Sequence, residues 1–170
     1  MYLFSCGGRH TKRKGIQDLL VALNFIDSSF NYKLRIFGKG PLTGYYKELI
    51  NRFELDSTVE LVGFVDDVRK ELRDADVFIL PSHAEGLPTV LIEAMSEGCK
   101  LIATDCEFGP REILDNGKLG TLVKPKDPID LAEGIEREIS EDRQDVDVQY
   151  MLDNFKMKNQ SQEYLNLMRD

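Results

Sequence analysis

Three stretches of the chain combine glycine with charged side chains, and each follows a short aliphatic run. The first is Gly7-Gly8-Arg9-His10-Thr11-Lys12-Arg13-Lys14-Gly15. Its leading glycines free the backbone for a tight turn, and four cations fall within the six residues from Arg9 to Lys14. Cations beside a helix amino end, where N–H groups lack partners, make a ready anion site. A basic run standing alone is more often a solvated surface. Its place between a strand and a helix favours phosphate here, although Lys12 and Arg13 read equally well as solvated charges. The second stretch is Phe37-Gly38-Lys39-Gly40-Pro41, with glycines at 38, 40 and 44. That is not the G-x-G-x-x-G spacing of a dinucleotide site, and Glu60 falls inside a strand rather than at its end. The stretch reads as a turn with Pro41 opening the next helix.

The third stretch, Pro81-Ser82-His83-Ala84-Glu85-Gly86-Leu87-Pro88-Thr89-Val90-Leu91-Ile92-Glu93-Ala94-Met95, is the informative one. Pro88 suits the first position of a helix, after which Thr89 and Val90 offer unpaired N–H groups. Glu93 lies one turn beyond Thr89 on the same face and leans back towards the amino end. Two carboxylates, Glu85 and Glu93, thus converge where backbone donors favour an anion. The plain alternative is a polar helix residue stabilised by the dipole, but Glu93 is flanked by Leu91, Ile92, Ala94 and Met95. A carboxylate in such surroundings needs donors, and sugar hydroxyls are good ones.

The elements that must hold these loops alternate in kind. Strands are expected over Tyr2–Cys6, Tyr32–Phe37, Val59–Val62, Val77–Leu80, Lys100–Ala103 and Thr121–Val123. Helices are expected over Ile16–Asp27, Leu42–Phe53, Val68–Ala75, Thr89–Glu97, Arg111–Asp115 and Ile129–Ile139, the last with Ile129, Ala132, Ile135 and Ile139 on one apolar face. Strands apolar on both faces and alternating with helices imply an α/β fold, a doubly wound six-stranded parallel sheet of Rossmann-like type. Ligands bind such sheets beyond the carboxyl ends of the strands, which is where all three stretches fall.

Composition narrows the function. The 170 residues suit one domain, and 42% apolar residues suffice for a core. A net charge of −8 argues against a general nucleic-acid binder. No apolar run is long enough for a membrane span, and no signal peptide opens the chain. Cys6, Cys99 and Cys106 sit among small or apolar neighbours and fit a reduced, cytoplasmic interior rather than a disulfide framework. Two histidines without close ligand spacing leave little for a metal. From Glu133 to Asp147 seven acids face two arginines, a solvated face and loop. Beyond it, Met151, Leu152 and Phe155, then Tyr164, Leu165, Leu167 and Met168, form apolar stripes on expected helices. Such stripes either close the core or lie on a neighbouring domain.

The segment Glu85 to Met95, with its two glutamates separated by seven residues, resembles the E-x7-E signature of family-4 retaining glycosyltransferases of GT-B architecture. Further blocks match in order: Arg9 with Lys14-Gly15, Leu34 to Pro41, Leu61 to Val65, Ala75 to Ser82, Ala103 to Asp105, Gly109 to Ile113 and Gly120 to Val123. The resemblance implies that residues 1–170 are the carboxyl-terminal, donor-binding half of such an enzyme, transferring a hexosyl group from a nucleotide-diphosphate sugar to a glycan or lipid-linked acceptor. Arg9 and Lys14 would neutralise the diphosphate, and Thr89 and Val90 would hold phosphate through their N–H groups. Glu93 would bind the ribose, Val65 the base through its main chain, Gly86 the donor, and Glu85 would stand by the transferred sugar. Leu-Pro-Thr after Glu85-Gly86 favours a UDP-sugar.

No cofactor and no metal are implied. The chain departs from the pattern at Pro88, where many relatives have glycine, and in lacking the amino-terminal acceptor half. An excised fragment is therefore expected, with the last helices (about 149–169) packing on the missing half and transfer activity absent from the fragment alone. Location is expected in the cytoplasm, at the inner face of a membrane if the acceptor is membrane-bound. A nucleotide-sugar epimerase, a dinucleotide-dependent oxidoreductase and a non-catalytic binding module are the competing readings.

Overall fold

A computed structural model describes residues 1–140; the expected apolar stripes after Gln149 lie outside the described residues. The strands are β1 (Tyr2–Gly7), β2 (Tyr32–Phe37), β3 (Val59–Gly63), β4 (Val77–Leu80), β5 (Lys100–Thr104) and β6 (Thr121–Val123). They form one parallel sheet in the order β3-β2-β1-β4-β5-β6, the doubly wound arrangement, with its change of direction between β1 and β4. The helices are α1 (Ile16–Ala22), α2 (Thr43–Arg52), α3 (Val68–Arg73), α4 (Thr89–Ser96), α5 (Pro110–Ile113) and α6 (Pro128–Ser140).

Strand periodicity divides the core in two. Val77 and Ile79 of β4 enter a cluster with Phe4, Leu34, Ile36 and the inner faces of α1, α2 and α6. Phe78 and Leu80, the alternate residues, join Leu91, Leu101, Ala103 and Ile113 on the opposite side. All four β4 residues are buried, as a strand covered on both faces requires. All three cysteines are buried free thiols.

Several local expectations are corrected. α1 stops at Ala22 rather than Asp27, because the Asn24 side-chain amide donates to the Leu20 and Val21 carbonyls and the chain tightens into i→i−3 bonds there. α2 starts at Thr43, two residues past Pro41, and Pro88 caps α4 at φ −76°, ψ 80° instead of occupying its first turn. On α6 the buried face is Leu131, Ala132, Ile135 and Ile139, whereas Ile129 is 55% exposed on the flank. Gly134 belongs to that face too, since a Cβ there would come within 2.4 Å of Val123 Cγ1.

This packing makes a contrast between two isoleucines of one helix. Ile135→Ala should lower unfolding free energy by about 2–5 kcal/mol, the cost of a large-to-small change in a core. Ile129→Ala should cost less than about 0.5 kcal/mol. Urea denaturation of both variants checks the assignment, and equal losses would contradict it.

Candidate functional site

The β1–α1 loop does not run straight into its helix. After Gly7 and Gly8 it makes a 3-10 turn over Lys12–Lys14, and Gly15, at φ +63°, closes that turn before α1 begins. Gly15 passes so near the β4–α4 loop that a Cβ would lie 1.8 Å from the Pro81 carbonyl oxygen. Only glycine meets both demands. The contact is reinforced on each side: the His83 N–H donates to the Arg13 carbonyl at 2.8 Å, and His83 Nε2 pairs with Asp18 Oδ2 at 2.5 Å.

These ties bring Lys14 and Glu85 together. Lys14 Nζ lies 2.6 Å from Glu85 Oε1, and the same oxygen accepts from Ser82 Oγ at 2.5 Å. The Glu85 side chain is only 7% exposed. Lys14, Glu85, Thr89, Val90 and Glu93 all line one hollow of about 340 Å³ at the carboxyl edge of the sheet, over the change of strand direction. Glu93 makes no ion pair or side-chain hydrogen bond through its carboxylate among the described residues. Arg9 and Val65 line a second hollow of about 320 Å³, walled by Phe37, Phe64 and Val68 with Lys39 beside them. The two hollows share Gly8, Phe37 and Val68, so they form one crevice. Each is within the size range of small-molecule sites.

Two of the residues singled out by sequence behave differently. The Thr89 N–H is already spent, donating to the Leu87 carbonyl at 2.9 Å, because Pro88 turns the chain sharply just before the helix. Val90 therefore offers the first N–H at the amino end of α4 without a backbone partner among the described residues. Gly86 stands outside both hollows; its carbonyl packs instead against Gly109, where a Cβ would come within 2.5 Å of it. Thr89 still lines the crevice, together with Arg9, Lys14, Val65, Glu85, Val90 and Glu93.

The glycines of the second stretch serve packing. A Cβ at Gly38 would sit 2.0 Å from the Gly8 carbonyl oxygen, and one at Gly40 would sit 2.5 Å from that of His10. His10 is fully buried, its Nδ1 2.8 Å from Thr43 Oγ1, and burial lowers its pKa. Burial likewise pushes the Cys6 thiol up to about 12, although the nearby Lys14 charge pulls the other way, and raises Cys106. Ser82, Lys39 and Phe64 are site residues that sequence reasoning passed over. Lys39 had a signal, since it follows a strand, but the irregular glycine spacing masked it.

Comparison with known proteins gives the family. The sequence model of the family described as glycosyl transferases group 1 matches residues 2–141, and the chain belongs to that family. It is 37% identical over 138 residues to an uncharacterized glycosyltransferase (MJ1059) of Methanocaldococcus jannaschii, covering 73% of this chain and 34% of that protein. Among solved structures, the C-terminal domain of the group 1 glycosyl transferase LpcC from Francisella tularensis superposes with a TM-score of 0.72 at 28% identity, covering 82% of this chain and 76% of that one. Anabaena HepE, solved in complex with UDP, gives a TM-score of 0.73 at 26% identity, covering 81% and 39%. The chain spans about a third or less of the length of the curated relatives it matches.

Gly15 makes the loop contact testable. Gly15→Ala should cost about 2–4 kcal/mol of stability, combining left-handed strain with a clash that forces the two loops apart. Gly44→Ala is the control, because a Cβ there meets nothing within 4 Å. Chemical denaturation should separate the two variants clearly.

Proposed function

We propose, from membership of the group 1 glycosyl transferases and from the crevice, that this chain binds the nucleotide-diphosphate sugar of a retaining hexosyltransferase, with UDP as the nucleotide. One observation carries the reading: Lys14 and Glu85, joined at 2.6 Å, face the same hollow as Val90 and Glu93. A cation for the diphosphate, a backbone donor at a helix amino end and two carboxylates for hydroxyl groups thus line a single space. The UDP bound in HepE supports the choice of nucleotide. The glycine geometry does not favour a dinucleotide-dependent oxidoreductase, and nothing in the comparisons favours an epimerase.

In this reading Arg9 and Lys14 neutralise the diphosphate, Val90 donates to it, Glu93 accepts from the ribose hydroxyls and the Val65 segment holds the base. Glu85 stands by the sugar. As the bond from the anomeric carbon to the diphosphate oxygen breaks, its electrons pass to the leaving diphosphate. The acceptor oxygen bonds the same face of that carbon, and its proton goes to the departing phosphate oxygen. Fixed cations and N–H groups stabilise the growing charge without reorganising. Arg9 and Lys14 supply positive charge to the diphosphate in this reading. The acceptor, a glycan or a lipid-linked sugar, is held by a further amino-terminal domain of a longer protein, so the 170 residues alone bind donor but do not transfer. None of the described helices is long and apolar enough to cross a membrane, and we place the enzyme in the cytoplasm, at the inner membrane face when its acceptor is lipid-linked.

A calorimetric screen of UDP, GDP and ADP tests the nucleotide assignment, with UDP expected to bind tightest. Arg9→Ala and Lys14→Ala should each weaken UDP binding by about 1.5–3 kcal/mol, the scale of charged hydrogen bonds. Lys12→Ala should change it by less than about 0.5 kcal/mol, and EDTA should leave it intact. Equal losses at all the loop cations would reduce the site to a general electrostatic patch.

The two carboxylates should separate by ligand. Glu93→Gln should weaken UDP and intact UDP-sugar alike, because both carry the ribose. Glu85→Gln should leave free UDP bound at least as tightly, since it removes a negative charge that holds Lys14, while lowering the extra affinity of the intact donor. Titration of both variants with both ligands checks this, and a Glu85→Gln loss identical for UDP and UDP-sugar would take Glu85 out of the sugar site.

A further inference from the structure

Lys14 has two anionic partners to serve once a diphosphate enters the crevice. In this structure its ammonium is on Glu85 Oε1 at 2.6 Å. A diphosphate carries more charge than a carboxylate and draws the ammonium towards itself. Glu85 would then be a carboxylate of 7% side-chain exposure, next to a new anion and without its counter-charge. Electrostatics alone would turn it out of the hollow, away from the sugar.

The second bond to Oε1 opposes that. Ser82 is fully buried, and its hydroxyl donates to Glu85 Oε1 at 2.5 Å. Its main chain is held in turn, because the buried Thr104 hydroxyl at the end of β5 donates to the Ser82 carbonyl oxygen. Ser82 is neutral and lies two residues beyond the end of β4 with its main chain held by Thr104, so a phosphate does not pull it away as it pulls Lys14. Glu85 Oε2 has no hydrogen-bond partner among the described residues, which leaves it available to a hydroxyl in the hollow that Glu85 lines.

We infer that Ser82 is a positioning residue: its hydroxyl keeps Glu85 in the sugar position while Lys14 transfers from Glu85 to the donor diphosphate. The inference rests on the donor-site reading above and adds to it an exchange of partners at one carboxylate oxygen. Ser82 lines neither hollow. It acts through Glu85 alone, so it should affect the sugar's contribution to binding and not the nucleotide's.

The test uses the 170-residue chain, with UDP, UDP-glucose, UDP-galactose and UDP-N-acetylglucosamine as calorimetric ligands for wild type, Ser82→Ala and Ser82→Cys. Cysteine keeps the volume but donates weakly. The ratio of Kd for UDP to Kd for the tightest UDP-sugar should fall about five- to tenfold in both variants, the size of one ordinary intramolecular hydrogen bond. A fall confined to Ser82→Ala would mean that only packing matters, and equal weakening of UDP and UDP-sugar would mean a merely structural role; either overturns the inference, as does an unaltered ratio. A UDP-bound wild-type structure decides independently of how the variants fold. Lys14 on the phosphate with Ser82 still on Glu85 supports the exchange, and Lys14 remaining on Glu85 away from the phosphate refutes it. Failure of the wild type to bind any of the four ligands would refute the donor-site reading itself, before any variant is compared.

Discussion

The close approach of Gly15 to the Pro81 carbonyl is the constraint from which the crevice follows. β1 and β4 are neighbours at the point where the sheet reverses direction, and their carboxyl-end loops must diverge to opposite faces. Loops that diverge leave a cleft, but a cleft alone does not put a cation from one loop on a carboxylate from the other. That requires the loops to touch first. Gly15 supplies the contact by having no Cβ at a place where one would be 1.8 Å from an oxygen, and by adopting φ +63°. The 3-10 turn that Gly15 closes then sets Lys14 towards Glu85, and the His83–Arg13 and His83–Asp18 bonds hold the loops in that register.

An acidic protein that gathers cations at its crevice is not a contradiction. The net charge of −8 belongs to the whole chain, and much of its excess lies in the stretch from Glu133 to Asp147. At physiological ionic strength charges farther than about 8 Å apart are largely screened, so an entering phosphate senses the few cations at the crevice. Arg9 is exposed there and pairs with no carboxylate among the described residues. Lys14 is the opposite case, a cation already committed. Its pairing gives the low-exposure Glu85 a counter-charge in the hollow to which Glu93 contributes a second acid. The crevice thus holds its charges ready without leaving a buried carboxylate unpaired.

The sheet was legible in the sequence because its strands are short apolar runs with both faces covered, and such runs have few other places to go. β2, β4 and β6 begin and end where that pattern puts them, and the other strands run one residue longer. The helices were legible in position but less so in extent. Asn24 ends α1 early through side-chain bonds to carbonyls, a competition that a hydrophobic period does not register. Ile129 matches the helical period and is nonetheless exposed, because the face is centred on Leu131, Ile135 and Ile139. In the crevice, spacing gave Glu85 and Glu93 relative to each other but not what each touches. Lys14 and Glu85 are 71 positions apart, and only folding makes them partners. Ser82 looked like part of a strand-end block, and the use of the Thr89 N–H by Leu87 depends on a turn at Pro88 that residue types do not specify.

What the crevice lacks bears on its chemistry as much as what it holds. A hydrolase or an isomerase working by proton transfer needs a group whose pKa lies near the operating pH. The thiols near the crevice move the wrong way: Cys6 is pushed up to about 12 and Cys106 is also raised, so both stay protonated and unreactive. His10 is driven towards its neutral form by burial and faces Thr43 and Tyr46 rather than the hollow. The polar groups that line the crevice itself include the Arg9, Lys14 and Lys39 side chains, the Val90 N–H and the carboxylates of Glu85 and Glu93. The proposed transfer from a nucleotide diphosphate suits this lining, because that leaving group departs as an anion and the cations and N–H group would hold the charge that develops on it.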